Sequence, residues 1–251
     1  MIRMTEMVKH LLIINIIFYI GTYLVPISYD LLALHYFENN QFRLWQPITH
    51  LFMHSGFGHI FFNMLVLVLF GSVVEYFLGD KKFLFLYFSC GIGAFILQVV
   101  INYFEFHHSL NILIDNGISK NEIYQTLNAT KYSTIWNEYL SKSNFNGLVS
   151  TFVSTSVGAS GAISGLMVAF VFLDPNREMT LFPFPIPIKA KYLISGYFVM
   201  DLFMGLQGSS LFGKGENTFI GHFAHLGGAI TGFLMMWYWK KNQFNKNRWD
   251  R

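Results

Sequence analysis

Residues 158–175 read GASGAISGLMVAFVFLDP. Small residues crowd the point where an apolar run begins, and that run carries no charge before Asp174. Its composition is that of a bilayer span. Gly161 and Gly165 form a GxxxG pair, the spacing with which membrane helices approach one another closely. Ser160 lies between Gly158 and Gly161, in a G-x-S-G frame that leaves its hydroxyl unobstructed. Helix packing accounts for the glycines. It does not account for a free hydroxyl beside hydrocarbon.

The rest of the chain has the same character. Of 251 residues, 53% are hydrophobic, 12% are charged and 28 are Phe, whereas a soluble domain averages about 25% charged residues. A large soluble core is excluded, and the chain reads as an all-α polytopic membrane protein. Six stretches, approximately 10–27, 59–78, 83–103, 155–173, 190–207 and 219–239, are long enough or nearly so to cross a hydrocarbon layer of about 30 Å, which takes roughly 20 residues. Residues 28–58 are aromatic and amphipathic with few charges, which suits an interfacial or partly embedded segment. The sizeable polar region is about 104–154, where Ile112, Ile123, Leu127, Ile135 and Tyr139 suggest short amphipathic helices. With no internal repeat and no second folded domain expected, residues 1–251 read as a single membrane domain.

Charge placement orients it. Twelve of the 17 Lys and Arg residues fall on the side of the N-terminus and five on the other. Short loops enriched in Lys and Arg face the cytoplasm, so both termini are expected there, in a multi-pass protein of a bacterial cytoplasmic membrane. Arg3 and Lys9 precede the first apolar stretch, but no small-residue cleavage site follows, so it reads as a retained span. The single cysteine, Cys90, allows no disulfide within the chain and no cysteine metal site. The basic tail, 240–251, reads as solvated.

Polar groups inside spans are costly and mark function. Ser160 lies 14 residues before Asp174, His225 lies 15 before Lys240, and Asn63 lies 15 before Leu78. Each is then about 21–22 Å above the cytoplasmic edge, in the outer part of the layer. A serine and a histidine at one depth make a nucleophile and its general base. His59 shares a helix face with Asn63, and both can donate to one developing oxyanion, with the Ser160 backbone N–H as a third donor. His225 opens H-x-x-G-x-x-x-G, so Gly228 and Gly232 let its helix come close to another backbone.

GASG at 158–161, AHLGGAITG at 224–232 and HIFFN at 59–63 together resemble the rhomboid family of intramembrane serine proteases. The resemblance covers almost the whole chain and implies a six-span helical bundle. It implies a Ser160–His225 dyad without a third acidic member, with His59 and Asn63 in the oxyanion site. It further implies transmembrane protein substrates cut near the outer membrane boundary, no cofactor, no metal and no nucleic acid. Glu75 matches a structural acidic anchor of the family. Two positions depart from the pattern. Trp45-Gln46 stands where a Trp-Arg pair is frequent, so the resemblance implies nothing about how that loop is anchored. Ser164 stands one turn after the nucleophile where an aromatic ring often packs on the histidine, so a less rigidly held His225 is expected.

Other residues read differently. Asp201 lies about one turn from the outer end of the fifth span, where interfacial solvation is the simpler reading than a third triad member. His50 and His54 lack a third metal ligand, and no H-E-x-x-H occurs. His222 lacks the glycine register that follows His225, and His107 and His108 show no partner. A silent client-binding relative is disfavoured by an intact serine and histidine, and a small transporter by the lack of paired halves.

Overall fold

The computed structural model describes residues 3–181, 184–207 and 221–246. Helix α1 is Glu6–Leu24. It stops at Val25 because Pro26 follows, and the residue before a proline is driven out of the helical region. Short helices α2, Ile27–Leu32, and α3, Gln46–Thr49, lie in the segment that leads to the second apolar stretch. That stretch is one continuous helix, built of α4 (Phe57–Val66), a π-helical turn (Leu67–Gly71) and α5 (Ser72–Leu78). Then come α6 (Asp80–Asp115), α7 (Lys120–Asn128), α8 (Lys142–Val153), α9 (Ser160–Leu173), a hairpin of β1 (Glu178–Leu181) and β2 (Phe184–Lys189), α10 (Ala190–Gln207) and α11 (His222–Lys246).

Among the described residues, Glu6–Leu24, Phe57–Leu78 and Asp80–Asp115 are long and apolar enough to cross a membrane, and Ser160–Leu173 is a shorter apolar helix. All six expected stretches are helical over most of their length, although residues 219 and 220 of the sixth lie outside the described residues. The first helix is Glu6–Leu24 against 10–27 and the sixth runs on to Lys246 against 239; two further boundaries differ for a visible reason. The fourth helix begins at Ser160 rather than near 155, because Gly158 has φ +124° and cannot be helical. Ser156 instead forms an antiparallel bridge with Leu34. The third helix runs on past 103 to Asp115. At 1.5 Å per residue its 36 residues span about 54 Å, far more than a hydrocarbon layer.

That extension carries a unit the composition did not predict. Phe106, Leu110 and Leu113 of α6 pack with Ile123 and Leu127 of α7, Trp136, Leu140, and Leu148 and Phe152 of α8 in a second hydrophobic cluster, separate from the main one. Tyr36 joins it, and Glu38 accepts hydrogen bonds from the Tyr124 hydroxyl (2.5 Å) and His107 Nε2 (3.0 Å). Ile123 and Leu127 are buried as their periodicity suggests, whereas Ile135 and Tyr139 are exposed. The polar region is therefore a small helical cap with its own core.

The main core centres on α9, where Gly161 through Leu166 are all buried. Apolar side chains on the outer faces of α1, α4 and α10 stay exposed, among them Ile17, Phe62 and Leu206. Lipid is as apolar as leucine, so hydrophobic burial cannot drive such helices together; close van der Waals contact must. Glycines supply it. A Cβ on Gly232 would lie 2.6 Å from the Gly165 carbonyl oxygen, and one on Gly227 would lie 2.6 Å from that of Gly93. A Cβ on Gly228 would overlap the Gly161 carbonyl. The helices α6, α9 and α11 thus touch backbone to backbone.

Two buried polar side chains tie the periphery to this core. Glu75 caps α1: Oε1 accepts from the backbone N–H of Met7 at 2.9 Å, and Oε2 accepts from that of Val8 at 2.8 Å and from the Thr5 hydroxyl at 2.5 Å. A carboxylate there satisfies orphan donors and complements the helix dipole. Gln46, which departs from the family's pattern, is fully buried. Its Oε1 accepts from the N–H groups of His35 (3.3 Å) and Arg43 (3.1 Å), and its amide donates to the carbonyls of Gln41 (3.1 Å) and Leu31 (3.4 Å). An amide both donates and accepts, so one neutral side chain holds four points of the loop.

Candidate active site

The site is assembled from the ends of four helices. The turn before α9 places Gly158 beside α4: a Cβ there would lie 2.7 Å from His59 Nε2 and 3.6 Å from Asn63 Nδ2. Only glycine suits both that contact and the positive φ. The Gly158 N–H donates to the His50 carbonyl at 2.9 Å, which fixes the turn to the loop before α4. Two residues later Ser160 opens α9, so its own N–H is among the unpaired donors of a first helical turn.

Across from it, α11 brings His225 Nε2 to 2.9 Å from the Ser160 hydroxyl oxygen. The glycine contacts below make this possible, since Gly228 lies one turn after His225 and meets the Gly161 carbonyl. The Asn63 amide nitrogen is buried and has no hydrogen-bond partner among the described residues. A buried donor without a partner costs about 1–3 kcal/mol, a cost that makes sense where charge develops during a reaction. His59 is held from behind by Ser55, whose hydroxyl lies 3.1 Å from Nδ1. The four residues singled out in the sequence, Ser160, His225, His59 and Asn63, thus converge around the 158–160 turn.

The far side of His225 is different from expectation. Asp201 of α10 is 2% exposed and not at a solvated interface. Its Oδ2 lies 3.1 Å from His225 Nδ1, and its Oδ1 accepts a hydrogen bond from His222 Nδ1. The Tyr197 hydroxyl is 3.2 Å from His225 Nδ1, with its ring tilted 36° to the imidazole. The imidazole is therefore not loosely held. Ser164, in the position where an aromatic ring was the alternative, turns back to donate to the Ser160 carbonyl at 2.9 Å. The aromatic neighbour comes instead from α10. Sequence reasoning set Asp201 aside; the signal available was Tyr197, Asp201 and Gly205 at i, i+4, i+8, a polar and small stripe on an otherwise apolar helix.

Nothing around the site forms a metal-binding group of three His, Cys, Asp or Glu among the described residues. His54 and His59 rings meet edge to face at 5.0 Å. Burial pushes His50 and His54 down to about 4, so both are neutral near pH 7.

Known proteins resemble this chain over most of its length. The Rhomboid domain model matches residues 41–108 and 126–242. Rhomboid protein 1, mitochondrial, of Saccharomyces cerevisiae is 26% identical over 191 residues, covering 76% of this chain and 40% of that protein. Rhomboid protease AarA of Providencia stuartii is 27% identical over 197 residues, 76% of this chain and 54% of its own length. RHOMBOID-like protein 12, mitochondrial, of Arabidopsis thaliana is 26% identical over 204 residues, 80% and 48% respectively. The chain spans about half the length of these relatives. Matched by the domain model over well more than half of its residues, it belongs to the rhomboid family of integral membrane proteins.

Proposed function

We propose that the chain is an intramembrane serine endopeptidase that cuts transmembrane proteins near one face of the bilayer, through Ser160 and His225. The observation that carries this reading is the 2.9 Å contact between the Ser160 hydroxyl and His225 Nε2, set beside a buried, unpartnered Asn63 amide. The Ser160 oxygen attacks a substrate carbonyl carbon while His225 Nε2 takes its proton. The carbonyl oxygen becomes an oxyanion that accepts from Asn63 Nδ2, His59 Nε2 and the Ser160 N–H. Each such donor contributes about 2.7–4 kcal/mol in comparable sites. The His225 imidazolium then protonates the leaving amine, and the C–N bond breaks to give an ester on Ser160. Water, deprotonated by the same imidazole, hydrolyses that ester.

The family and the printed name of one relative, Rhomboid protease AarA, support the reading, as does the site's place on apolar helices. The decisive experiment labels the purified native chain and Ser160→Ala with a fluorophosphonate and assays both on a transmembrane substrate. Labelling and cleavage should occur in the native chain alone; cleavage by a folded Ser160→Ala chain would sink the assignment. The proposed orientation puts both ends and the basic short loops on the cytoplasmic side. A cysteine at Asn121, exposed in α7, should then react with an impermeant thiol reagent in intact cells, and one at Lys81 should not.

A further inference from the structure

We propose that Asp201 is a positioning residue for His225, accepting its Nδ1–H so that Nε2 is left unprotonated towards Ser160. This inference rests on the serine-protease reading above. It goes beyond a two-residue serine–histidine site by adding an acid from α10.

The geometry carries it. Asp201 is almost wholly enclosed, and each carboxylate oxygen meets an imidazole: Oδ2 faces His225 Nδ1 at 3.1 Å, and Oδ1 faces His222 Nδ1. An ionised carboxylate can only accept, so both Nδ1 atoms carry protons. For His225 this selects the tautomer whose Nε2 lone pair points at the Ser160 hydroxyl, 2.9 Å away. The opposite tautomer would aim an N–H at that oxygen and could not take its proton. The Tyr197 hydroxyl, 3.2 Å from the same Nδ1, could donate to it and favour that wrong tautomer. The carboxylate decides the competition. It also lowers the energy of the imidazolium formed during attack, while His222 keeps its second oxygen occupied and its plane fixed. The stripe of Tyr197, Asp201 and Gly205 faces α11, and Gly205 lets it close in: a Cβ there would lie 3.0 Å from His222 Cβ. The groups that face His225 are Ser160 of α9, Tyr197 and Asp201 of α10, His222 of its own helix, and His59 within electrostatic reach from α4.

The test is Asp201→Asn in the full chain, assayed for kcat and KM across pH. An amide can donate to Nδ1 and so hold the wrong tautomer; in a soluble triad the same change lowers kcat by about 10⁴. Here kcat should fall about 10²- to 10⁴-fold with KM within about threefold. Losing the carboxylate destabilises the imidazolium, so the acid limb of kcat/KM should move to lower pH. Asp201→Glu, which keeps an acceptor, should recover at least about tenfold over the amide. A packing role alone would move neither the acid limb nor the acceptor-dependent rescue. Native kcat and an unmoved acid limb in a folded Asp201→Asn chain would overturn the proposal. If that variant fails to fold, ¹⁵N NMR of His225 in the native chain decides: protonated Nδ1 supports the proposal and protonated Nε2 overturns it. Ser160→Ala separates the two levels. If it stays active, the protease reading fails; if it is inactive while Asp201→Asn is normal, only the positioning role fails.

Discussion

The bundle and the cap are two cores in one chain, built by opposite means. The cap packs large aromatics against one another: Phe106 stacks on Phe152 at 5.6 Å, Tyr36 tilts against Phe106 at 5.1 Å, and Trp136 is fully enclosed. That is how a core forms against water, where each large apolar side chain buried contributes about 1.5–3 kcal/mol. At the centre of the bundle the same role falls to glycines, because lipid offers no such gain. Contact there comes from removing side chains, and the space so saved brings Ser160 and His225 together. A void costs the cap stability. A single added methyl group at Gly228 or Gly232 meets backbone in the bundle.

Substitutions can break this contrast, and the largest effect belongs to the bundle. Gly228→Val places carbon atoms where the Gly161 carbonyl stands, and overpacking a tight core costs about 1–3 kcal/mol even where neighbours can shift. Backbone cannot shift cheaply, so α9 and α11 must part. Proteolysis and fluorophosphonate labelling should both vanish, and the thermal midpoint should drop; labelling at the native rate would refute the close-contact argument.

Next comes Asn63→Ala, which removes one proposed oxyanion donor but little packing. It should lower kcat by about 10- to 1000-fold and leave KM nearly unchanged, since that bond tightens in the transition state. A loss confined to KM would move Asn63 from the site to helix packing.

The cap should answer differently. Trp136→Ala leaves a large void and should cost the cap about 3–5 kcal/mol, read as faster hydrogen exchange in α7 and α8. Its kcat should stay within about threefold of native, since Trp136 belongs to the second cluster alone. A fall like that of Asn63→Ala would mean that the cap and the site are one unit.

The smallest effect is one of pH, and it falls on the loop before α4. His50 and His54 are pushed down to about 4 by burial, whereas an unfolded chain takes up these protons near ~6.5. Their contribution is therefore fully present above about pH 6.5 and is lost progressively as pH falls towards 4. Melting of the native chain should move down between pH 7 and 5, and His50→Gln should flatten that slope. An unchanged slope would argue against neutral, buried imidazoles.

How far the sequence foretold each region follows from the same physics. Apolar length is a one-dimensional property, so the bundle helices were readable to within a few residues, and 190–207 coincides with α10. The cap was readable only in part: Ile123 and Leu127 marked a short helix, but residues 104–115, FEFHHSLNILID, mix polar and apolar groups and look like the start of a loop. Only packing against Ile123, Leu127 and Phe152 turns them into helix. Within the site, Ser160, His225, His59 and Asn63 were legible because polar groups are conspicuous in apolar runs. Asp201 was visible for the same reason, but its meaning depends on which neighbour covers it. Distance from a span's end suggested solvent; the two imidazoles of α11 replace it. The anchoring by Gln46 was not legible, because it consists of bonds to backbone, which leave no trace in side-chain pairing.

The Glu75 cap has a consequence for how the molecule is made. The donors it satisfies belong to Thr5, Met7 and Val8, which are 67–70 positions earlier in the chain. At a ribosomal pace of roughly 5–20 residues per second, the first helix waits about 3–14 s for the carboxylate that completes it. During that interval its leading turn lacks the Glu75 carboxylate, and these donors are left to lipid headgroups or water. The first helix is therefore provisional when it enters the bilayer, and the arrival of the second makes it permanent. Nascent chains halted before and after residue 75 has emerged should differ in how readily the first helix can be extracted from the membrane.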